Sequence, residues 1–329
     1  MSVELTAWAG IAATLFVAVL RSTTPLLFAA LGGLVSELAG CLNVALEGLM
    51  LVAAFFAVIA AWLASQWWPG LPPWGCAWIG CGFGLVAAMA CAGLLAVFHL
   101  EWGADLVVAG IAINILAEGL TIFTMEAMVG DKGSTAAINT PAMPSLRFPG
   151  LSGHPVLDTL LNGEGGQGHN VLMHAAILCA IALPLVLTRT RFGLHLRAVG
   201  ENERAALGAG IAVKRVRYQA LLLSGALAGL GGIYLSLGYL TLFQAGMSGS
   251  RGFLALAAVF LGARRPLGTI AAALLFGVSA VLATQMGRIG MPIHLVYMLP
   301  PLVTLGTLML VGAMRRQRLL KIRWNLKTP

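Results

Sequence analysis

Apolar runs of membrane-crossing length recur along this chain from Ala7 to Met314, and no hydrophilic block between them is large enough to fold by itself. That pattern leaves few options. Inside a bilayer every backbone N–H and C=O must be satisfied within the protein, and a helix does this without leaving its own segment. The pattern predicts an all-α polytopic membrane protein, one transmembrane domain over residues 1–329, where length alone would suggest about two soluble domains. Composition agrees: 59% of residues are hydrophobic and 10% charged, against roughly 25% charged in soluble domains.

A bilayer core takes roughly 20 apolar residues per helix. On that basis ten spans are predicted, near residues 5–20, 22–36, 43–65, 75–98, 105–128, 171–188, 215–238, 251–262, 267–286 and 294–314. The first half covers about 5–128, a polar segment 129–170 follows, and the second half covers 171–314 ahead of a basic tail, 315–329. The run from Ala7 to Leu20 has no basic flank before it, so it reads as a retained span and not as a cleaved signal. Two halves with an odd number of crossings would have opposite orientation, as in inverted repeats. The segments 22–36 and 251–262 are short for a straight crossing and Gly-rich or Gly-flanked, and paired short or broken helices point to a substrate path.

Charge orients the chain. The net charge is +8, but the basic residues fall in short connections and in the tail, as the positive-inside rule expects, so nucleic acid is not a predicted partner. Arg189, Arg191, Arg197, Arg204, Lys214, Arg215 and Arg217 lie against Glu201 and Glu203 in one connection, and the tail carries no acid. Both go to the cytoplasm, with 129–170 outside and Trp67, Trp68, Trp74 and Pro72 in an outer interfacial belt. Ten crossings then put both termini in the cytoplasm; Arg21 opposes this, since it would lie outside.

Four polar residues stand inside predicted spans: Asn43 and Glu47, and Asn114 and Glu118, each pair four apart and so on one helix face. An acidic residue at the centre of a membrane helix costs about 2.5–3.5 kcal/mol by insertion scales, so it needs water, a partner or its own proton. Asn43, Glu47, Asn114 and Glu118 are the candidates to line a translocation path. For Glu47, near the start of its span, the competing reading is that it caps a broken helix or binds Asn43. Asp105 reads as a helix cap before LVVAGIAINIL, and the glycines of SGALAGLGGIYLS suit close helix packing. The five cysteines lie in or beside apolar segments without CxxC spacing, and the six histidines lack HxxxH or HxH spacing; no metal site is expected. The sequence holds no GxxxxGK[ST] loop and no GxSxG elbow, so no ATP hydrolysis, no enzyme activity and no cofactor of its own is expected.

Four segments taken together carry a resemblance: ELAGCLNVALEGLMLVAAFFAV (37–58), DLVVAGIAINILAEGL (105–120), FGLHLRAVGENERAALGAGIAVKRVRYQALLLSGALAGLGG (192–232) and GSRGFLALAAVFLGARRPLG (249–268). Across about residues 22–312 the chain resembles the permease subunits of ABC importers for branched-chain amino acids, ribose-type sugars and nucleosides, most like the simple-sugar or nucleoside branch. Cys41 and Glu118 depart from that pattern. The resemblance implies a bacterial inner-membrane importer, a separate ABC ATPase subunit that binds ATP and Mg, a second permease, identical or different, and an external binding protein or lipoprotein. It also implies a cytoplasmic coupling helix over Glu201 to Ala209, with Asn202, Glu203, Arg204, Ala205 and Ala206 in it, Gly200 before it and Gly208 and Gly210 ending it. Its acidic first turn suits the positive helix end, its alanines give a small face that fits a cleft, and the flanking Arg and Lys would anchor on anionic lipid headgroups. A branched-chain amino acid permease and a proton-coupled transporter using Glu47 or Glu118 remain as alternatives.

Overall fold

A computed structural model describes residues 2–150, 155–163 and 168–288, together with Leu302, Gly306 and Met309 as helical positions. Its long helices are α1 (Ser2–Leu38), α2 (Leu46–Trp67), α3 (Pro73–Leu100), α4 (Leu106–Val129), α6 (Val171–Arg189), α9 (Val213–Ile233) and α11 (Pro266–Arg288). Between them lie β1 (Ser145–Leu146), α5 (Pro155–Asn162), β2 (His169–Asn170), α7 (Arg191–Glu201), α8 (Glu203–Gly208) and α10 (Arg251–Leu261). A π-helical segment, Tyr234–Leu240, continues α9. Among the described residues seven helices are long and apolar enough to cross a membrane, which makes this a multi-pass membrane fold.

The first two predicted spans are one helix. Residues 2–38 run unbroken through Arg21, a rod of about 56 Å at 1.5 Å per residue. The two predicted spans part at Arg21, and Pro25 just beyond it removes one backbone donor, yet the helix does not break. Thr23 and Thr24 donate their hydroxyls to the carbonyls of Val19 and Leu20 at 2.7 Å, and residues 23–36 are buried without interruption. Packing on α9, α10 and α11 on all sides holds a helix that local signals would end. Segment 22–36 is therefore not a short crossing, and the parity that suggested two inverted five-helix halves is lost. The tenth predicted span and the basic tail lie outside the described residues.

The continuous helix also fixes which ends lie together. Leu38 meets Gly200 of α7, whereas Arg21 lies beside Gly163 and His169 of the polar segment. The amino-terminal end of α1 therefore points to the 129–170 end of the bundle, and the basic connection occupies the other. Helix α3 runs between the same two ends: Trp67, Trp68 and Trp74 are exposed where α2 passes into α3, and Glu101 after its last turn pairs with Lys214.

Glycine and alanine set the helix spacing. A Cβ on Gly229 would meet Ala88 at 2.8 Å and one on Gly231 would meet the Pro25 carbonyl at 2.7 Å, so α9 packs backbone to backbone in the middle of the bundle, as small residues allow in lipid. The core around it is formed by Phe28, Leu31, Leu34, Leu46, Leu49 and Met50, all fully buried. Cys41, Cys76 and Cys81 are buried free thiols within this packing.

Candidate functional site

Two breaks in helical structure meet in the centre of the bundle. After α1 the chain runs through Cys41–Ala45 without regular structure before α2 begins. After the π segment it turns at Thr241 and returns through 241–250, where Phe243 exchanges backbone and side-chain hydrogen bonds with Thr135, before the eleven-residue α10 starts. Irregular backbone at membrane depth is tolerated only where protein or a water-filled cavity supplies its hydrogen bonds. The polar residues singled out in the sequence are what supply them.

Glu47 caps α10. Its carboxylate accepts from the Ser248 hydroxyl, from the Ser250 backbone N–H at 2.8 Å and from the Gly252 N–H at 2.7 Å. Ser250 takes a left-handed conformation, φ 63°, to present that N–H. A negative charge at the positive end of a helix also complements its dipole. Asn114 does the matching task for α2: its amide oxygen accepts from Gly48 N–H at 2.8 Å and its amide nitrogen donates to the Val44 carbonyl at 2.9 Å. Asn43 accepts from Ala45 N–H at 3.0 Å and donates to Ser224 of α9 at 2.9 Å. A Cβ on Gly48 would meet Asn114 and Ala117 at 2.9 Å, so α4 presses directly on the broken start of α2.

Of the four path candidates, then, three bind backbone or serine groups around the start of α2, each with its own partners, and the fourth stands apart. Glu118 is exposed on α4, in a face that also exposes Ile111 and Ile115. Sequence spacing paired Asn43 with Glu47 and Asn114 with Glu118; the fold pairs Asn43 with Ser224 and Asn114 with the start of α2. Ser224, Ser248 and Ser250 give no local signal in sequence, because serine at membrane depth is common packing material.

The basic connection is two helices and not the single helix expected over Glu201 to Ala209. α7 ends at Glu201, and Asn202, in extended conformation, caps α8 by accepting from Ala205 N–H at 3.0 Å. Gly200 lies inside α7 and has no capping role there; it lets α7 touch the Leu38 carbonyl, where a side chain would clash. Gly208 is the last residue of α8, and Gly210, φ 78°, ends the turn. Ala206 is 3% exposed and belongs to the main core, while Leu207 is 55% exposed. The outward surface is thus Arg204, Ala205, Leu207 and Ala209, and Ala206 is corrected to a packing residue. Leu207 was missed because an isolated leucine after Ala-Ala carries no sign of which way a six-residue helix turns.

Ion pairs brace this surface. Arg217 of α9 donates to Glu203 at 2.9 Å, and Arg264 reaches Glu37 at 2.8 Å from a turn in which Ala263 and Arg264 both have positive φ. Glu101 accepts from Lys214 at 2.6 Å and from Tyr218 at 3.0 Å; those two bonds hold its carboxyl below the ordinary range. Exposed pairs contribute roughly 0–1 kcal/mol each; Arg217–Glu203 ties α8 to α9, while the other two join the α10–α11 turn to α1 and the end of α3 to α9.

A model of branched-chain amino acid transport system permease components matches residues 15–311. The chain belongs to that family. Among curated relatives, the guanosine ABC transporter permease protein NupQ of Bacillus subtilis is 37% identical over 269 residues, covering 79% of this chain and 78% of the relative. The nucleoside ABC transporter permease protein NupC of Lactococcus lactis is 33% identical, with 81% of each chain covered. A putative glucose ABC transporter permease of Haloferax volcanii is 31% identical over 81% of this chain. Such a chain is a permease component, a transport subunit and not an ATPase.

Proposed function

We propose that this chain is the membrane-spanning permease of an ATP-driven importer for nucleosides or simple sugars, working with an ABC ATPase, a second permease and an external binding protein in the bacterial inner membrane. Its likeness to permeases named for guanosine, nucleosides and glucose supports the substrate class over branched-chain amino acids. The observation that supports the coupling role is the exposed pair Ala205 and Leu207 on a helix tied to α9 by Arg217–Glu203. A leucine 55% exposed on the water side of a bundle suits a partner's cleft, and the ion pair would carry displacement of that cleft into α9. ATP and Mg would be bound by the partner ATPase. With the basic connection in the cytoplasm, the amino terminus lies outside.

Glu47 does not suit a proton carrier, because three donors hold its carboxylate as a cap and protonation would release a helix end. The test is reconstitution with the candidate ATPase and binding protein. ATP-dependent uptake of labelled nucleoside or pentose is expected, without stimulation by a pH gradient alone. Uptake of labelled leucine in preference to nucleoside would overturn the substrate class.

A further inference from the structure

A cavity of about 330 Å³ lies between α1, the π segment and α11 and reaches Arg251, the first residue of α10. Its lining runs from Thr14 to Pro25 along α1 at three- and four-residue steps, and from Ala280 to Gln285 along α11, so one face of each helix forms a wall. The stretch from Thr14 to Pro25 is about 16 Å long at 1.5 Å per residue. Arg21 lies beside Gly163 and His169 of the polar segment, while Leu38 meets the basic connection. Thr14 is farther still from Leu38, so the cavity occupies the half of the bundle on the 129–170 side. Its inner limit is a broken helix, since α10 starts within the bundle on the Glu47 carboxylate. Discontinuous helices of this kind form substrate sites in many transporter folds.

The π segment builds the aromatic side of this cavity. In an α-helix a residue five positions on lies about 140° around the axis, so Tyr234 and Tyr239 would face different ways. Turns closed from i to i+5 bring residues five apart toward one side, and both tyrosines front the cavity. Tyr234 is 2% exposed and fixed in the core, whereas Tyr239 is 59% exposed and leaves its ring open to an occupant. Arg251 donates from Nη1 to the carbonyls of Met247 and Ser248 at 3.0 Å. The Glu47 carboxylate acts on it through space, so its charge is answered within the protein and its remaining N–H groups can serve a neutral occupant. Ser22, Thr284 and Gln285 add hydroxyl and carboxamide groups to the lining, which both donate and accept. Small organic ligands fill pockets of about 300–1,000 Å³. A flat aromatic face, forked donors and neutral hydroxyl partners together fit a ligand that carries a heteroaromatic ring and several hydroxyls.

We propose that this cavity is a binding station for a nucleoside on its way through the permease, the base stacked on Tyr239 with its edge acceptors met by Arg251 and Arg21, and the ribose hydroxyls met by Ser22, Thr284 and Gln285. This assignment rests on the importer function and narrows its substrate to nucleosides. Arginine forks match the adjacent ring-nitrogen and carbonyl acceptors of a purine edge, and aromatic side chains stack on any base. A free sugar lacks the ring that Tyr239 would hold.

The importer reconstituted with its ATPase and binding protein tests this, with an azido-purine nucleoside as photoprobe. Illumination should label peptides that contain Tyr239 or Thr284, and excess unlabelled nucleoside should remove the label where equal ribose does not. Tyr239→Ala and Thr284→Trp should each reduce that labelling at least tenfold, and Tyr239→Phe should keep it. Both side chains are exposed, so neither variant disturbs the core. Label confined to other segments in the wild type, or full labelling in both variants, would overturn the site. Better displacement by the nucleoside monophosphate than by the nucleoside would mark a phosphate site and overturn it too. Uptake by the same vesicles separates the two readings: nucleoside uptake with the label elsewhere overturns the site alone, whereas sugar uptake without nucleoside uptake overturns the substrate class.

Discussion

Glu47, in the first turn of α2, is bound to the backbone N–H of Gly252, in the first turn of α10, at 2.7 Å across 205 residues of sequence. One carboxylate thereby joins the start of a membrane helix in the first half of the chain to a short helix in the second. The pair explains how a helix of eleven residues can begin inside the bundle. Its first N–H groups, which have no partner within the helix, are satisfied by a side chain delivered from elsewhere.

Glu47→Ala should destabilise the purified protein by about 2–3 kcal/mol, since hydrogen bonds to a charged group contribute roughly 1.5–3 kcal/mol and leave buried donors unpaired when lost. Glu47→Gln should recover part of this, as an amide oxygen still accepts. Unfolding in detergent reads the difference; an unchanged midpoint for the alanine variant would show that water caps α10 instead.

Asn114→Leu removes both hydrogen bonds to the broken start of α2. A loss of about 1–3 kcal/mol is expected for each orphaned buried group, and Asn114→Asp, which loses only the donor to Val44, should fall between. Hydrogen exchange at the start of α2 should rise locally in both variants.

The two alanines of α8 should part company. Ala205→Arg and Leu207→Glu alter an exposed face and should leave folding intact while abolishing copurification with the ATPase. Ala206→Arg forces a charge into the core and should reduce folded yield by itself, so loss of binding in that variant carries no information on coupling. Normal ATPase recovery with Leu207→Glu would remove α8 from the interface.

His169, at the start of β2, is buried, and burial lowers its pKa from 6.5, with Arg21 and His174 adding to the effect and the Leu160 carbonyl opposing it. The folded state thus holds the neutral ring while the unfolded chain takes up a proton near pH 6.5. Stability from this group is complete above that pH and declines as pH falls toward the lower folded value. His169→Gln should flatten the acid side of the melting profile; the same slope in both proteins would place the pH dependence elsewhere.

Ala263 and Arg264 adopt positive φ in the turn between α10 and α11. A non-glycine residue in this region costs about 1–2 kcal/mol, so Ala263→Gly should be neutral to stabilising in a melting assay. Arg264→Gly would relieve the same strain but lose the ion pair with Glu37, and should gain less.

Much of this protein was legible in one dimension, for physical reasons that particular residues show. Apolar runs of bilayer length gave the membrane class and most helix bounds, because a lipid environment forces each segment to satisfy its own backbone. Asp105 before its apolar run was readable as a cap, and the structure shows it accepting from Val107 and Val108, since capping is local. The glycines of α9 were readable as packing positions for the same reason of small size.

What only the tertiary structure decided involves partners distant in sequence. The charge of Arg21 divided the first apolar stretch into two predicted spans, yet α1 passes through it because α9, α10 and α11 pack on the helix. Asn43, Glu47 and Asn114 were visible as costly polar groups, but whether each meets substrate, water or backbone depends on which broken helix lies against it. Ala206 and Leu207 differ by one position and face opposite environments, a distinction set by how α8 docks on α9. Sequence by itself determined that this chain lives in a membrane and which residues would be expensive there; the three-dimensional packing decided which backbone groups would satisfy them, because those groups belong to segments that folding alone brings together.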